Sequence, residues 1–193
     1  MGSGKSKQQQ YFYDICNNYR IIVEYLAKKK ISLTHIKKLV DRYTVIYNQC
    51  NKKLIIAVDL DLRTVWLVHK LYPEKYLSQD KIIDNRWLVD AWQQHHIFCK
   101  KIYPLLNSRK FGRWIESYRL FMNLCHKYPK KKLVPTLEQD FVWHAHMFDH
   151  DNYVKFSKKK MNRIVLHDHH NLSQSEFIKY NKTTLILQWK QRK

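Results

Sequence analysis

The chain has 193 residues, 45% of them hydrophobic, with 6 Trp and 13 Tyr, enough for a packed core in one domain or two small ones. With only 3 Gly and 4 Pro it excludes an all-β protein of many tight turns, and helices joined by polar loops are expected. The 36 Lys+Arg against 16 Asp+Glu give a formal charge of +20, a surface that attracts polyanions such as nucleic acid or an anionic membrane face.

The first ten residues, MGSGKSKQQQ, read as a disordered basic start. GSGKS ends like a phosphate-binding loop but lacks the earlier Gly and the preceding strand that such a loop needs. Gly2 followed by Ser6 fits an N-myristoylation pattern, with Lys5 and Lys7 beside it, and so a membrane attachment through the N-terminus. Residues 11–29 place Ile15, Tyr19, Ile22, Val23 and Leu26 on one helical stripe. Ser32 is the expected N-cap of the next helix, whose stripe runs from Leu33 through Tyr43 to Cys50. The apolar run 54–58 then enters a helix with Asp59 or Asp61 near its start and Pro73 near its end. Residues 82–98 read as another helix. Phe111, Trp114, Ile115, Tyr118, Met122 and Cys125 form a further stripe. Thr136-x-x-Gln139 is a capping box opening a helix to about Phe148, and a last helix carries Phe177, Thr184 and Trp189.

Self-comparison shows an internal repeat. VDRYTVIYNQC (40–50) aligns with IESYRLFMNLC (115–125), pairing Tyr43 with Tyr118 and Cys50 with Cys125. DLDLRTVWLVHKLYPEKY (59–76) aligns with TLEQDFVWHAHMFDHDNY (136–153), pairing Trp66 with Trp143, His69 with His146 and Tyr76 with Tyr153. IID (82–84) then meets VLH (165–167) across the Lys-rich insertion SKKKMN. The expected fold is all-α: a helical bundle of two related helix-loop-helix units, about 37–85 and 112–170, with an N-terminal helix ahead of them in a single domain, 11–193.

LVPTLEQDFVWHAHMFDHDNY resembles the signature of the glycine-rich domain-containing protein-like family, and VLHDHHN, KIIDN and the Phe177, Thr184, Trp189 pattern resemble its neighbouring elements. The resemblance covers about residues 37–190, without the glycine-rich domain. It implies a helical fold and brings no established biochemical activity. In the first copy Leu67 replaces the first His of W-H-x-H, so a site needing both histidines belongs to the second copy alone.

That copy is dense in His and Asp. On a helix His144 and His146 face opposite sides, so they cannot share one metal ion. The useful i,i+4 pairs are Asp140 with His144 and His146 with His150. The following loop, His167, Asp168, His169 and His170, is the best source of further ligands. The metal candidates are His144, His146, His150, His167, Asp168 and His169, for zinc or another divalent ion that would activate a water for hydrolysis. Asp140, His144 and Asp168 are the catalytic candidates. The alternative is structural: Trp66, His69, Trp143 and His146 recur as a pair of core motifs, each His packing on the indole and hydrogen-bonding a carbonyl or an acid.

Four Cys, at 16, 50, 99 and 125, form no C-x-x-C pair, and no signal peptide or bilayer-length apolar run is present. The expectation is an intracellular, cytoplasmic protein with reduced thiols, non-enzymatic, without a cofactor and binding an anionic partner. The alternative is a metal-dependent hydrolase.

Overall fold

The computed structural model describes residues 6–49, 59–78, 80–167 and 172–191. Gly2, Cys50, the 54–58 run, Asp168, His169 and His170 lie outside the described residues. Within them the chain is all-helical, as expected, and carries no strand. The elements are α1 (Lys7–Lys28), α2 (Leu33–Gln49), α3 (Leu60–Lys70), α4 (Pro73–Ser78), α5 (Arg86–Ile102), α6 (Phe111–Lys127), α7 (Leu137–Phe148), α8 (His150–Met161) and α9 (Gln174–Gln191). Residues 7–10, expected in the disordered start, already belong to α1. Pro73 falls just past the end of α3, as expected, and opens α4, where its missing N–H costs nothing. The insertion SKKKMN, expected to lengthen a loop, instead ends α8, with Asn162 as its C-cap, and its lysines complement the negative end of the helix dipole.

The chain forms two compact units: a first unit, Ile21–Leu105, and a second unit made of residues up to Arg20 together with Leu106 onward. In the first unit α2, α3 and α5 pack on one another. Asp59 caps α3 by accepting from the Leu62 N–H at 3.0 Å, and the Ser32 hydroxyl accepts from His35 N–H at the start of α2. Their apolar stripes meet in a core of Ile36, Val40, Tyr43, Leu62, Val65, Leu88 and Trp92. The Trp92 indole N–H donates to Thr64 Oγ1 at 3.0 Å, so a fully buried polar tip is satisfied. In the second unit α6 packs on α7, α8 and α9, and α7 on α8. Its core holds Phe12, Cys16, Tyr19, Phe111, Tyr118, Phe121, Phe141, Trp143 and Tyr153. Each such side chain contributes about 1.5–3 kcal/mol on burial.

Residues that align in the sequence comparison make matching contacts in the two units. Tyr43 Oη and His69 Nδ1 share a hydrogen bond of 2.8 Å, and Tyr118 Oη and His146 Nδ1 share one of 2.9 Å. The Trp66 indole donates to Tyr76 Oη at 3.2 Å, and the Trp143 indole to Tyr153 Oη at 3.0 Å. The His69 and Tyr76 rings stand edge-on with centroids 5.2 Å apart, as do those of His146 and Tyr153. In both units a buried histidine is thus tied to a tyrosine on the preceding long helix. That phenol was not the partner expected, which was a carbonyl or an acid.

In the first unit His96 Nε2–H donates to the Lys29 carbonyl at 3.1 Å. Burial, helped by the nearby Lys100 ammonium, holds His96 below its ordinary value of 6.5. A depressed histidine is neutral when folded, so the unfolded chain takes up the proton first as pH falls. The contribution is therefore complete above about pH 6.5 and lost below it, at no more than ~1.4 kcal/mol per pH unit. Urea unfolding across this range should show that His96→Gln, which keeps a donor, has a shallower acid slope than the parent. Equal slopes would show that His96 does not titrate on unfolding.

Candidate metal centre

The centre begins with the cap of α7. The Thr136 hydroxyl accepts from the Gln139 N–H and the Gln139 side chain accepts from the Thr136 N–H, the expected capping box. Gln139 Nε2 also donates to Ser117 Oγ on α6 at 2.8 Å, fixing the rotation of α7 against that helix. One residue on, Asp140 points into the unit, and His144 lies one turn further along the same face.

α7 stops at Phe148 because Asp149 leaves helical geometry, with φ −84° and ψ 67°. The Asp149 carboxylate accepts from Tyr11 Oη on α1 at 2.8 Å and from Asn152 Nδ2 at 2.9 Å, which holds the break. His150 therefore opens α8, and the expected His146–His150 pair on one helix does not form. At the far end of α8, Asn162 adopts the left-handed conformation with φ 53°, tolerated by Asn, and reverses the chain. The returning segment is held by Tyr153 Oη donating to the Val165 carbonyl at 2.5 Å and by Arg163 Nη2 donating to the Cys125 carbonyl at 3.2 Å. His167 is thereby laid against α7.

Three donor atoms converge there. His144 Nε2 and His167 Nε2 stand 2.8 Å apart, His167 Nε2 is 2.8 Å from Asp140 Oδ1, and His144 Nε2 is 3.4 Å from the same oxygen. All three residues are buried, at 6%, 1% and 3% exposure for Asp140, His144 and His167. Around them Tyr19 Oη shares a 3.0 Å hydrogen bond with His144 Nδ1, and the Trp143 ring stands edge-on to His167 with centroids 4.9 Å apart. Tyr19 was not expected here: on the sequence it is one more member of an apolar stripe, distant from α7. Asp140, a catalytic candidate and the expected partner of His144, is itself one of the converging groups.

His146 is placed elsewhere. It points to the opposite side of α7, as its spacing predicts, among Tyr11, Phe12, Tyr118, Tyr153 and Phe156. Burial pushes it down to about 3, so it is neutral, and its Nδ1 is taken by Tyr118. Neither His146 nor His150 joins the cluster formed by the described residues, which is Asp140, His144 and His167. The first copy keeps the His69 frame but has Arg63, Leu67 and Asp84 where the alignment sets Asp140, His144 and His167. The buried thiols offer no nucleophile: burial raises Cys16, Cys99 and Cys125, the last to about 12.

Compared with models of known families, with characterised proteins and with solved structures, the chain matches none.

Tyr19 and His144 offer a direct check of the second layer. His144→Leu installs the residue aligned with it in the first unit but removes a hydrogen-bond partner of the buried Tyr19 phenol, and should cost about 1–3 kcal/mol in urea unfolding of metal-free protein. Adding Tyr19→Phe should recover part of that cost, and strictly additive losses would show that the two side chains are uncoupled.

Proposed function

We propose that the second unit is a metal-binding domain in which Asp140, His144 and His167 hold one divalent ion of the zinc type. The observation that carries this reading is the convergence of three donor atoms on one point in the copy that has them, on a hydrogen-bonded frame that both copies share. The fit is close. Ligands about 2.0–2.1 Å from a tetrahedral ion stand roughly 3.3 Å apart, so the observed triangle needs to open by only about half an ångström along two edges. Two imidazole nitrogens 2.8 Å apart beside a carboxylate need either an N–H hydrogen or a cation between them. The Tyr19 hydrogen bond to His144 Nδ1 matches the outer-layer contact that fixes a ligating histidine's tautomer.

Two histidines and one carboxylate leave a coordination position for water or a ligand, the arrangement that supports metal-assisted hydrolysis. The segment that resembles the glycine-rich domain-containing protein-like family supplies all three ligands, and that resemblance remains our reading of the chain's relationship. A second reading, a basic protein engaging a polyanion, is supported by the +20 charge. If it holds, affinity for a polyanion falls steeply as salt rises. An affinity unmoved by salt would sink it.

Metal analysis of full-length protein carrying no histidine tag, after equilibration with zinc, should find about one ion per chain. Asp140→Ala, His144→Ala and His167→Ala should each lose most of it, with His35→Ala and His126→Ala, both exposed, as controls that remove a histidine but not a ligand. Retention of the ion by all three ligand variants, or no ion in the parent, overturns the assignment. Removing the metal with a chelator should also lower the thermal midpoint of the parent and leave that of His144→Ala unchanged.

A further inference from the structure

A cleft in the second unit lies between the α6–α7 connection and the segment following α8. Its cationic lining is Lys130, Lys131, Lys132 and Arg163, and its apolar lining includes Leu133, Trp143 and Val165. Among the described lining residues none is acidic. Four cations around one concavity repel one another, and an anion within it relieves that repulsion. The concavity is small, about 190 Å³. That is below the roughly 300–1,000 Å³ of sites that enclose a drug-sized ligand, so it suits one charged group and little more.

We propose that this cleft binds the phosphate group of a small phosphate-bearing ligand. Arg163 is held in position by its Nη2 hydrogen bond to the Cys125 carbonyl, which uses one of five guanidinium donors and presents a planar fork suited to phosphate oxygens. The three lysines are exposed on the facing connection and supply compact, adjustable charges. The apolar part of the lining gives an organic substituent on the phosphate something to pack on. Trp143 belongs both to this cleft and to the surroundings of His167, so the cleft and the proposed metal centre share a side chain. The inference rests on the polyanion reading and narrows it to one place.

The test is calorimetric titration of the full-length protein with inorganic phosphate and with phenyl phosphate, each with and without chelator. Lys130→Ser/Lys131→Ser/Lys132→Ser is compared with Lys158→Ser/Lys159→Ser/Lys160→Ser, which removes the same charge from residues that do not line the cleft. The first variant should weaken binding about tenfold or more and the second less than about threefold, both remaining folded by circular dichroism. Equal affinity for the two probes would identify free phosphate as the ligand chemistry, and tighter phenyl phosphate a phosphate monoester; both support the cleft. No binding of either probe, or binding abolished by chelator and untouched by the first variant, overturns the proposal. Equal losses in the two variants overturn it as well, while leaving the diffuse-charge reading standing.

Discussion

The structure depends on a buried imidazole whose Nδ1 is paired with a tyrosine hydroxyl on the preceding long helix. A polar ring taken out of water without a partner costs on the order of 1–3 kcal/mol, so each such histidine fixes where its tyrosine must lie. In the first unit the pair is Tyr43 and His69, and in the second Tyr118 and His146. The Trp-to-Tyr bond ten residues along then locks the helix to the one that follows. These contacts set the rotation of α7, and that rotation decides which way His144 points. With His146 committed to the α6 side, His144 faces Asp140, Tyr19 and the returning chain at His167.

The same frame carries different freight in the two copies. At the place of His144 the first unit has Leu67, a half-buried apolar residue. The second copy instead buries two imidazoles and a carboxylate together. Buried ionisable groups are a poor route to stability, because desolvation consumes most of what their attraction returns. A bound cation would change that balance, since it would offset the buried carboxylate and accept the lone pairs of both imidazoles. The contrast between the copies is thus a physical reason to separate the histidine that builds the fold from the histidine that builds the site.

The excess of positive charge likewise divides into different kinds of position. Lys158, Lys159 and Lys160 occupy the last turn of α8, where cations offset the helix dipole. Lys130, Lys131 and Lys132 line a concavity opposite Arg163. Both are runs of three lysines in the sequence, and nothing in their composition distinguishes them. Among the described residues no helix is long and apolar enough to cross a membrane.

Much of this was legible in the chain itself. Apolar spacing determined most of the helices, though not α4 or a separate α8, and it set the start of α5 four residues early; Thr136-x-x-Gln139 determined where α7 starts, and the aligned Tyr, Trp and His residues marked the contacts that recur in both units. The two-residue spacing of His144 and His146 determined that one helix must send them to opposite sides. These are local properties, governed by the period of the helix and by hydrogen bonds within a few residues. The tertiary structure decided the rest. Asp149 ended α7 because a tyrosine from α1 holds its carboxylate, and so His150 was carried away from His146. Asn162 turned the chain back and Tyr153 caught the Val165 carbonyl, and so His167 reached Asp140 and His144 across more than twenty positions of sequence. Tyr19 joined them from a helix whose pattern marks it only as apolar. Long-range pairing of buried polar atoms follows from packing, and no periodicity in a sequence encodes it.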